Sequence, residues 1–162
     1  MIEPRASGRG IIAATLVIAM WLSVIPLPEW ARWARPEWVA MALIYWVIAL
    51  PHRIGIGVAF CTGLVLDMVE GSPLGENAFA LAVVAYLGLI LYQRMRMYAP
   101  WQQAGIVFVL IGLNQLLCHW VQTLITKVMP TMMFLLPALV SALLWPTVFR
   151  LLRKIRRQFA VT

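Results

Sequence analysis

Residues 50–75 read LPHRIGIGVAFCTGLVLDMVEGSPLG, and the spacing of their small residues decides the fold. Gly55, Ala59, Gly63, Asp67, Gly71 and Gly75 follow one another at i, i+4, so while the chain is helical they lie along one slowly drifting stripe. His52 and Arg53 stand at one end of the stretch and Asp67, Glu70 and Glu76 at or just beyond the other, with an apolar run between. Such a stripe suits lipid, where helices associate by close backbone packing because no hydrophobic force draws them together. Asp67 is the informative residue on this face. A carboxyl group at the centre of a bilayer costs about 2.5–3.5 kcal/mol, less toward the interface, so it is kept for a partner or a function.

The rest of the chain agrees with a membrane setting. Of its 162 residues 63% are hydrophobic and only 12% charged, well under the roughly 25% charge of soluble domains, and the mean hydropathy is +0.87. An all-α polytopic membrane protein with five or six spans fits this length and leaves no room for a soluble domain. The formal net charge of +7 does not point to nucleic acid, because the basic residues flank apolar segments and so act as topology signals. Cys61 and Cys118 fall inside apolar spans, where the disulfide frameworks of secreted domains do not apply.

Working outward, the predicted spans are 10–27, 38–50, 54–69, 78–92, 104–125 and 133–149, with a basic tail over 150–162. The first apolar run ends in Pro26 and Pro28 without a small-x-small cleavage pattern, so it reads as a retained span. Trp30, Trp33 and Trp38 between Arg and Glu form an interfacial belt. The second span rises only about 20 Å. It must borrow length from its neighbours, thin the bilayer or be shielded by other helices. A re-entrant hairpin for spans two and three would bury Arg53 at its tip, which disfavours it. Lys127 and Pro130 close the fifth span, and Pro137 and Pro146 predict kinks in the sixth. With the N-terminus inside, Arg5, Arg9, Arg53, Arg94, Arg96, Arg150, Arg153, Lys154, Arg156 and Arg157 lie on the inner side, against Arg32, Arg35 and Lys127 outside. That split predicts both termini in the cytoplasm.

Three groups of residues are candidates for function. Asp67 and Glu70, three apart, are carboxyls for proton relay, cation binding or acid/base work, or else Asp67 is a packed polar contact holding helices or a partner together while Glu70 lies at the surface. Span five carries a polar face of Asn114, Gln115, Cys118, His119 and Gln122, which needs partners in lipid. Cys118 and His119 are adjacent and point about 100° apart, so no metal or other cofactor is expected from them. In the tail, Arg150, Arg153, Lys154 and Arg157 share one helical face and, with Arg156, suit anionic lipid headgroups or an acidic cytoplasmic partner. No glycine-framed serine, HExxH pair or phosphate-binding glycine loop occurs, so no catalytic residue is assigned.

Several stretches together resemble the bacterial rod shape-determining MreD family: RPEWVAMALIYWVIALPHRIGIG (35–57), TGLVLDMVEGSPLG (62–75) with its D-x-x-x-G-S-x-L-G core, LYQRMR (91–96) followed by WQQA, and LLWPTVFRLLRKIRRQFAV (143–161). Span five differs from the enterobacterial-type pattern in holding neutral Asn114 and Gln122 where acidic residues are expected. The resemblance implies a non-enzymatic subunit of the elongasome in the bacterial inner membrane, supporting lateral peptidoglycan synthesis and cell shape. Its implied partners are MreC, MreB, RodZ, RodA and the penicillin-binding transpeptidase of RodA. It also implies six transmembrane helices resembling the S component of energy-coupling-factor transporters. The alternative function is therefore a substrate-binding subunit of a small-molecule transporter, and a third is lipid binding or flipping. On the scaffold reading, the stripe around Gly63, Asp67 and Gly71 accepts a partner helix.

Overall fold

The computed structural model describes residues 7–127 and 131–161. Among these the chain forms helices α1 (Ser7–Val24), α2 (Glu29–Arg32), α3 (Trp38–Ala49), α4 (Ile56–Glu70), α5 (Glu76–Met97), α6 (Pro100–Thr126) and α7 (Leu136–Gln158), with a 3₁₀ turn at Met132–Leu135 before the last. Three stretches are long and apolar enough to cross a membrane: Glu76–Met97, Pro100–Thr126 and Met132–Gln158. Gly8–Val24 and Trp38–Ala49 are shorter apolar helices. The chain is thus a multi-pass membrane protein, whose last three helices run longer than the spans predicted there.

The bundle is built around α3. Its sequence WVAMALIYWVIA has no polar side, and a helix apolar all round must be enclosed. Every residue from Val39 to Leu50 is buried, with α1, α5, α6 and α7 packed about them. Of the three ways for a short second span to exist, the fold uses shielding. Burial leaves the helix ends with backbone groups that water cannot reach. At the C-terminal end Arg96 of α5 closes them: its Nε donates to the Ile48 carbonyl and its Nη2 to the Ala49 carbonyl, both at 2.8 Å. At the N-terminal end the Glu37 amide donates to Ser141 Oγ of α7 at 2.9 Å. Trp46, fully buried, donates its indole N–H to Thr15 Oγ1 of α1 at 2.9 Å.

The outer helices are inverted relative to a soluble bundle. Val17 and Trp21 of α1, Ile90 of α5, Val109 and Leu124 of α6 and Leu143 of α7 are all exposed, which acyl chains tolerate and water does not. Pro137 sits in the first turn of α7, where its missing amide costs nothing, so the kink expected there is replaced by a helix start. Pro146 lies inside α7. The basic tail continues that helix to Gln158. Lys127 ends α6 with a left-handed φ of 55°. Pro130 and the leader through Ala6 lie outside the described residues.

Charge is segregated between the two ends of the bundle. A Cβ on Gly8 would stand 3.1 Å from Arg53 Nη1 and 3.3 Å from Val161 Cγ1, so the start of α1, the α3–α4 connection and the chain end meet. At the opposite end of α4, Asp67 and Glu70 meet Glu76 and Asn77 at the start of α5.

Candidate functional site

Asp67 is completely buried and acts as a clasp between α4 and α5. Its Oδ1 accepts from Ser72 Oγ and the Asn77 amide, both at 2.9 Å, and its Oδ2 accepts from the Gly75 amide at 2.9 Å and the Ala78 amide at 3.4 Å. The amides of Asn77 and Ala78 belong to the first turn of α5 and have no partner within their own helix. No side chain of the local N-cap residue, Gly75, can serve them, so an aspartate eight or more residues upstream does, at the positive end of the helix dipole. Gly71 closes α4 at φ 69° and Gly75 opens α5 at φ 99°, conformations that residues with a Cβ seldom adopt. The Ser72 amide also bonds the Asp67 carbonyl at 3.1 Å. The D-x-x-x-G-S-x-L-G pattern is therefore the sequence of a tight helix-to-helix turn.

Gly63, one turn below, completes the clasp. A Cβ there would fall on the Ala78 Cα and within 2.6 Å of the Asn77 carbonyl oxygen, so only glycine lets α5 come this close. Ala59 is buried too, whereas a Cβ on Gly55, Gly71 or Gly75 would meet nothing. The buried part of the predicted stripe is thus taken up by α5 of the same chain and is not open to an outside helix.

Beside the clasp lies a polar cavity of 460 Å³. Four segments converge on it: Ser23 and Val24 at the end of α1, Arg35 and Glu37 from the segment before α3, Glu70, Ser72, Glu76 and Asn77 from the clasp, and Asn114, Gln115, Cys118, His119 and Gln122 from α6. The polar face of α6 reaches across to two of the others. Gln115 Nε2 donates to Glu37 Oε1, Gln122 Nε2 to Glu76 Oε1 at 2.7 Å, and Cys118 Sγ–H to Asn77 Oδ1 at 3.6 Å. His119 places Nδ1 3.2 Å from the Gln115 carbonyl and stacks obliquely on Phe134. Glu76 Oε2 and Asn114 Oδ1, both buried in the wall, have no hydrogen-bond partner.

Glu37, in the connection ahead of α3, has its pKa pushed up to about 7. Burial is the main cause and the nearby Glu70 charge adds to it, while the Gln115 hydrogen bond and Arg35 oppose it. The cavity thus holds acceptors in excess, with Arg35 as the cation beside Glu37 and Glu70.

Sequence spacing grouped Asn114, Gln115, His119 and Gln122 on one face, and the fold brings that face to the clasp. Glu76 stood in the sequence beside Asp67 and Glu70, but spacing missed Glu37 and Arg35 as members of the same site. Those two read as interfacial flanks, because nothing local says that separate segments close on one another. Arg96 was missed as a cap on α3 for the same reason: at a helix end it reads as a topology signal. At the other end of the bundle, Arg150, Arg153, Lys154 and Arg157 line one shallow surface, while Arg156, together with Arg153, also lines a pocket against α3 and α5.

Comparison with known proteins places this architecture. No solved structure matches the chain. A rod shape-determining protein MreD of Haemophilus influenzae is 35% identical over 147 residues, covering 91% of this chain and 91% of that protein. The family model described as rod shape-determining protein MreD matches residues 5–155, through both the glycine–aspartate clasp and the basic end of α7. The chain belongs to the MreD family of rod shape-determining proteins.

Proposed function

We propose that this protein is a non-enzymatic scaffold of the rod-shape machinery in the bacterial inner membrane, crossing it six times with both termini in the cytoplasm. Its closest partner on this reading is MreC, and through it the chain serves MreB, RodZ, RodA and the penicillin-binding transpeptidase in lateral peptidoglycan synthesis. The observation that carries the reading is a groove of 670 Å³ between α1 and α4. Ile12, Ala13 and Leu16 form one wall, and Gly57, Val58 and Cys61 the other. Gly57 and Cys61 are small, four apart and exposed, and a Cβ on Gly57 would meet nothing. This is the small-residue surface that a single membrane-spanning helix packs against. It takes the place of the Gly63 stripe, which α5 fills.

The test is purification from the native membrane with identification of what comes along. Gly57→Leu fills the groove without touching the clasp, so it is expected to lose the partner and the rod shape while its melting temperature stays within a few degrees of wild type. Rod-shaped cells with an intact complex in Gly57→Leu would remove the groove from the account.

A second reading, a solute-binding transporter subunit, is favoured by the polar cavity, whose buried Glu76 Oε2 and Asn114 Oδ1 lack partners. Recovery of an ATPase pair with a small solute, in place of a single-span protein and wall synthases, would select it.

A further inference from the structure

A second site, a partly open pocket, lies at the end of the bundle away from the clasp. It is a pocket of 320 Å³ between the C-terminal ends of α3 and α5 and the cytoplasmic-type basic segment of α7. Arg96, Arg153 and Arg156 line it, Tyr45 and Phe149 form part of its apolar wall, and no acidic side chain is present. Tyr45 is 2% exposed, and its ring is held edge-on by Trp46 at 5.3 Å and Phe149 at 5.5 Å. The Arg156 guanidinium stands beside its hydroxyl oxygen, yet among the described residues the buried hydroxyl finds no acceptor for its own proton.

The neighbours explain why. A guanidinium has five donors and no acceptor, so none of the three arginines can take the tyrosine proton. Four acceptors of the wall already serve other donors. The Ile48 and Ala49 carbonyls take Arg96, the Tyr98 carbonyl takes Gln103 Nε2, and Gln103 Oε1 takes the Trp145 indole. A buried donor surrounded by donors lacks an acceptor, and the surrounding positive charge makes that acceptor an anion. Leaving such a group unpaired costs about 1–3 kcal/mol.

We propose that this pocket binds a phosphate oxyanion, with Tyr45 donating to one oxygen and Arg153 and Arg156 to the others. Arg96 contributes charge while remaining tied to α3. The phosphate belongs either to an anionic lipid headgroup, which basic pockets between membrane helices recognise, or to a free phosphate. The site shares Arg153 with the neighbouring shallow surface, whose Arg150 and Lys154 do not line the pocket. It is independent of the MreC groove, whose lining it does not share.

The experiment follows thermal unfolding of the purified full chain in a neutral detergent. Phosphatidylglycerol, phosphatidylcholine and inorganic phosphate are titrated separately. Phosphatidylglycerol is expected to raise the melting temperature saturably and phosphatidylcholine far less. Tyr45→Phe is expected to weaken that response about tenfold, the size of one lost hydrogen bond to a charged group, without lowering the lipid-free melting temperature, since a hydroxyl with an unpaired proton is removed. Arg156→Gln should weaken it as well, and Arg150→Gln with Lys154→Gln should leave it intact. A saturable response to inorganic phosphate that Tyr45→Phe abolishes, with none to phosphatidylglycerol, supports the oxyanion site and assigns it to free phosphate. The proposal is overturned if Tyr45→Phe responds as wild type does, or if the Arg150/Lys154 variant loses the response as fully as Arg156→Gln.

Discussion

At Asp67 a single carboxyl group joins two helices by serving four donors, two of them orphan amides of α5. Asp67→Leu strands those donors in a buried site, at about 1–3 kcal/mol for each left unpaired. The purified variant should therefore melt far below wild type, with Asp67→Asn between the two because its amide retains one acceptor. Measuring melting temperature beside partner recovery separates this from a docking role: a variant that keeps its stability yet loses the partner would show that Asp67 contacts another protein. Glu37 provides a pH signature. Its pKa is about 7 in the fold against an ordinary 4.5, so between those values the folded state binds more protons than the unfolded one. Stability should fall as pH rises from about 4.5 to 7 and level off above. Glu37→Gln should flatten that slope while keeping an acceptor for Gln115. A slope unchanged in Glu37→Gln, followed by thermal unfolding across the range, would assign the titration elsewhere.

Among the elements, α3 is the one whose stability depends most on its neighbours. Twelve residues make a helix of about 18 Å, too short to span a core of about 30 Å alone. Enclosure by other helices removes that requirement and replaces it with another, the satisfaction of its buried ends. Arg96 meets it with two charge-assisted bonds to main-chain carbonyls. Arg96→Met preserves much of the apolar stem and removes both bonds, so a loss of about 2–5 kcal/mol is expected. Arg96→Lys should recover only part of it, because an ammonium lacks the planar fork that reaches two carbonyls at once. Equal melting temperatures for Arg96→Lys and wild type would show that charge alone suffices. The α5–α6 turn has a comparable staple: buried Gln103 donates to the Met95 carbonyl at 2.6 Å and accepts from Trp145 of α7 at 3.2 Å.

For the whole molecule, the separation of charge sets the expected orientation. Glu37, Asp67, Glu70 and Glu76 gather near the clasp, and Arg96, Arg153 and Arg156 at the other end. With the positive-inside rule, the clasp is expected to face out and the tail the cytoplasm. In a background of Cys61→Ala, a cysteine at Leu74, which is 74% exposed, should react with an impermeant maleimide in intact spheroplasts. One at Gln158 should react only after lysis. The reverse pattern would invert the topology, and labelling of both from outside would remove the odd number of crossings expected between Leu74 and Gln158.

Composition, apolar run lengths and flanking charge determined that the chain is a helical membrane protein, because insertion into lipid is decided segment by segment. The D-x-x-x-G-S-x-L-G pattern, together with the other matching stretches, pointed to the family, and its own turn was legible because two left-handed glycines and a nearby acceptor are a local object. Which surface the small residues serve was not local. Gly63 and Gly57 look alike in sequence, yet one is covered by α5 and the other opens on the α1–α4 groove. Likewise Glu37, Glu76 and Gln122, or Tyr45, Arg96 and Arg156, are far apart along the chain and come together only when α3 is enclosed. Tertiary structure decided these sites because a buried polar group takes its partner from whichever helix packing brings within reach, and sequence spacing reports only on neighbours along one helix.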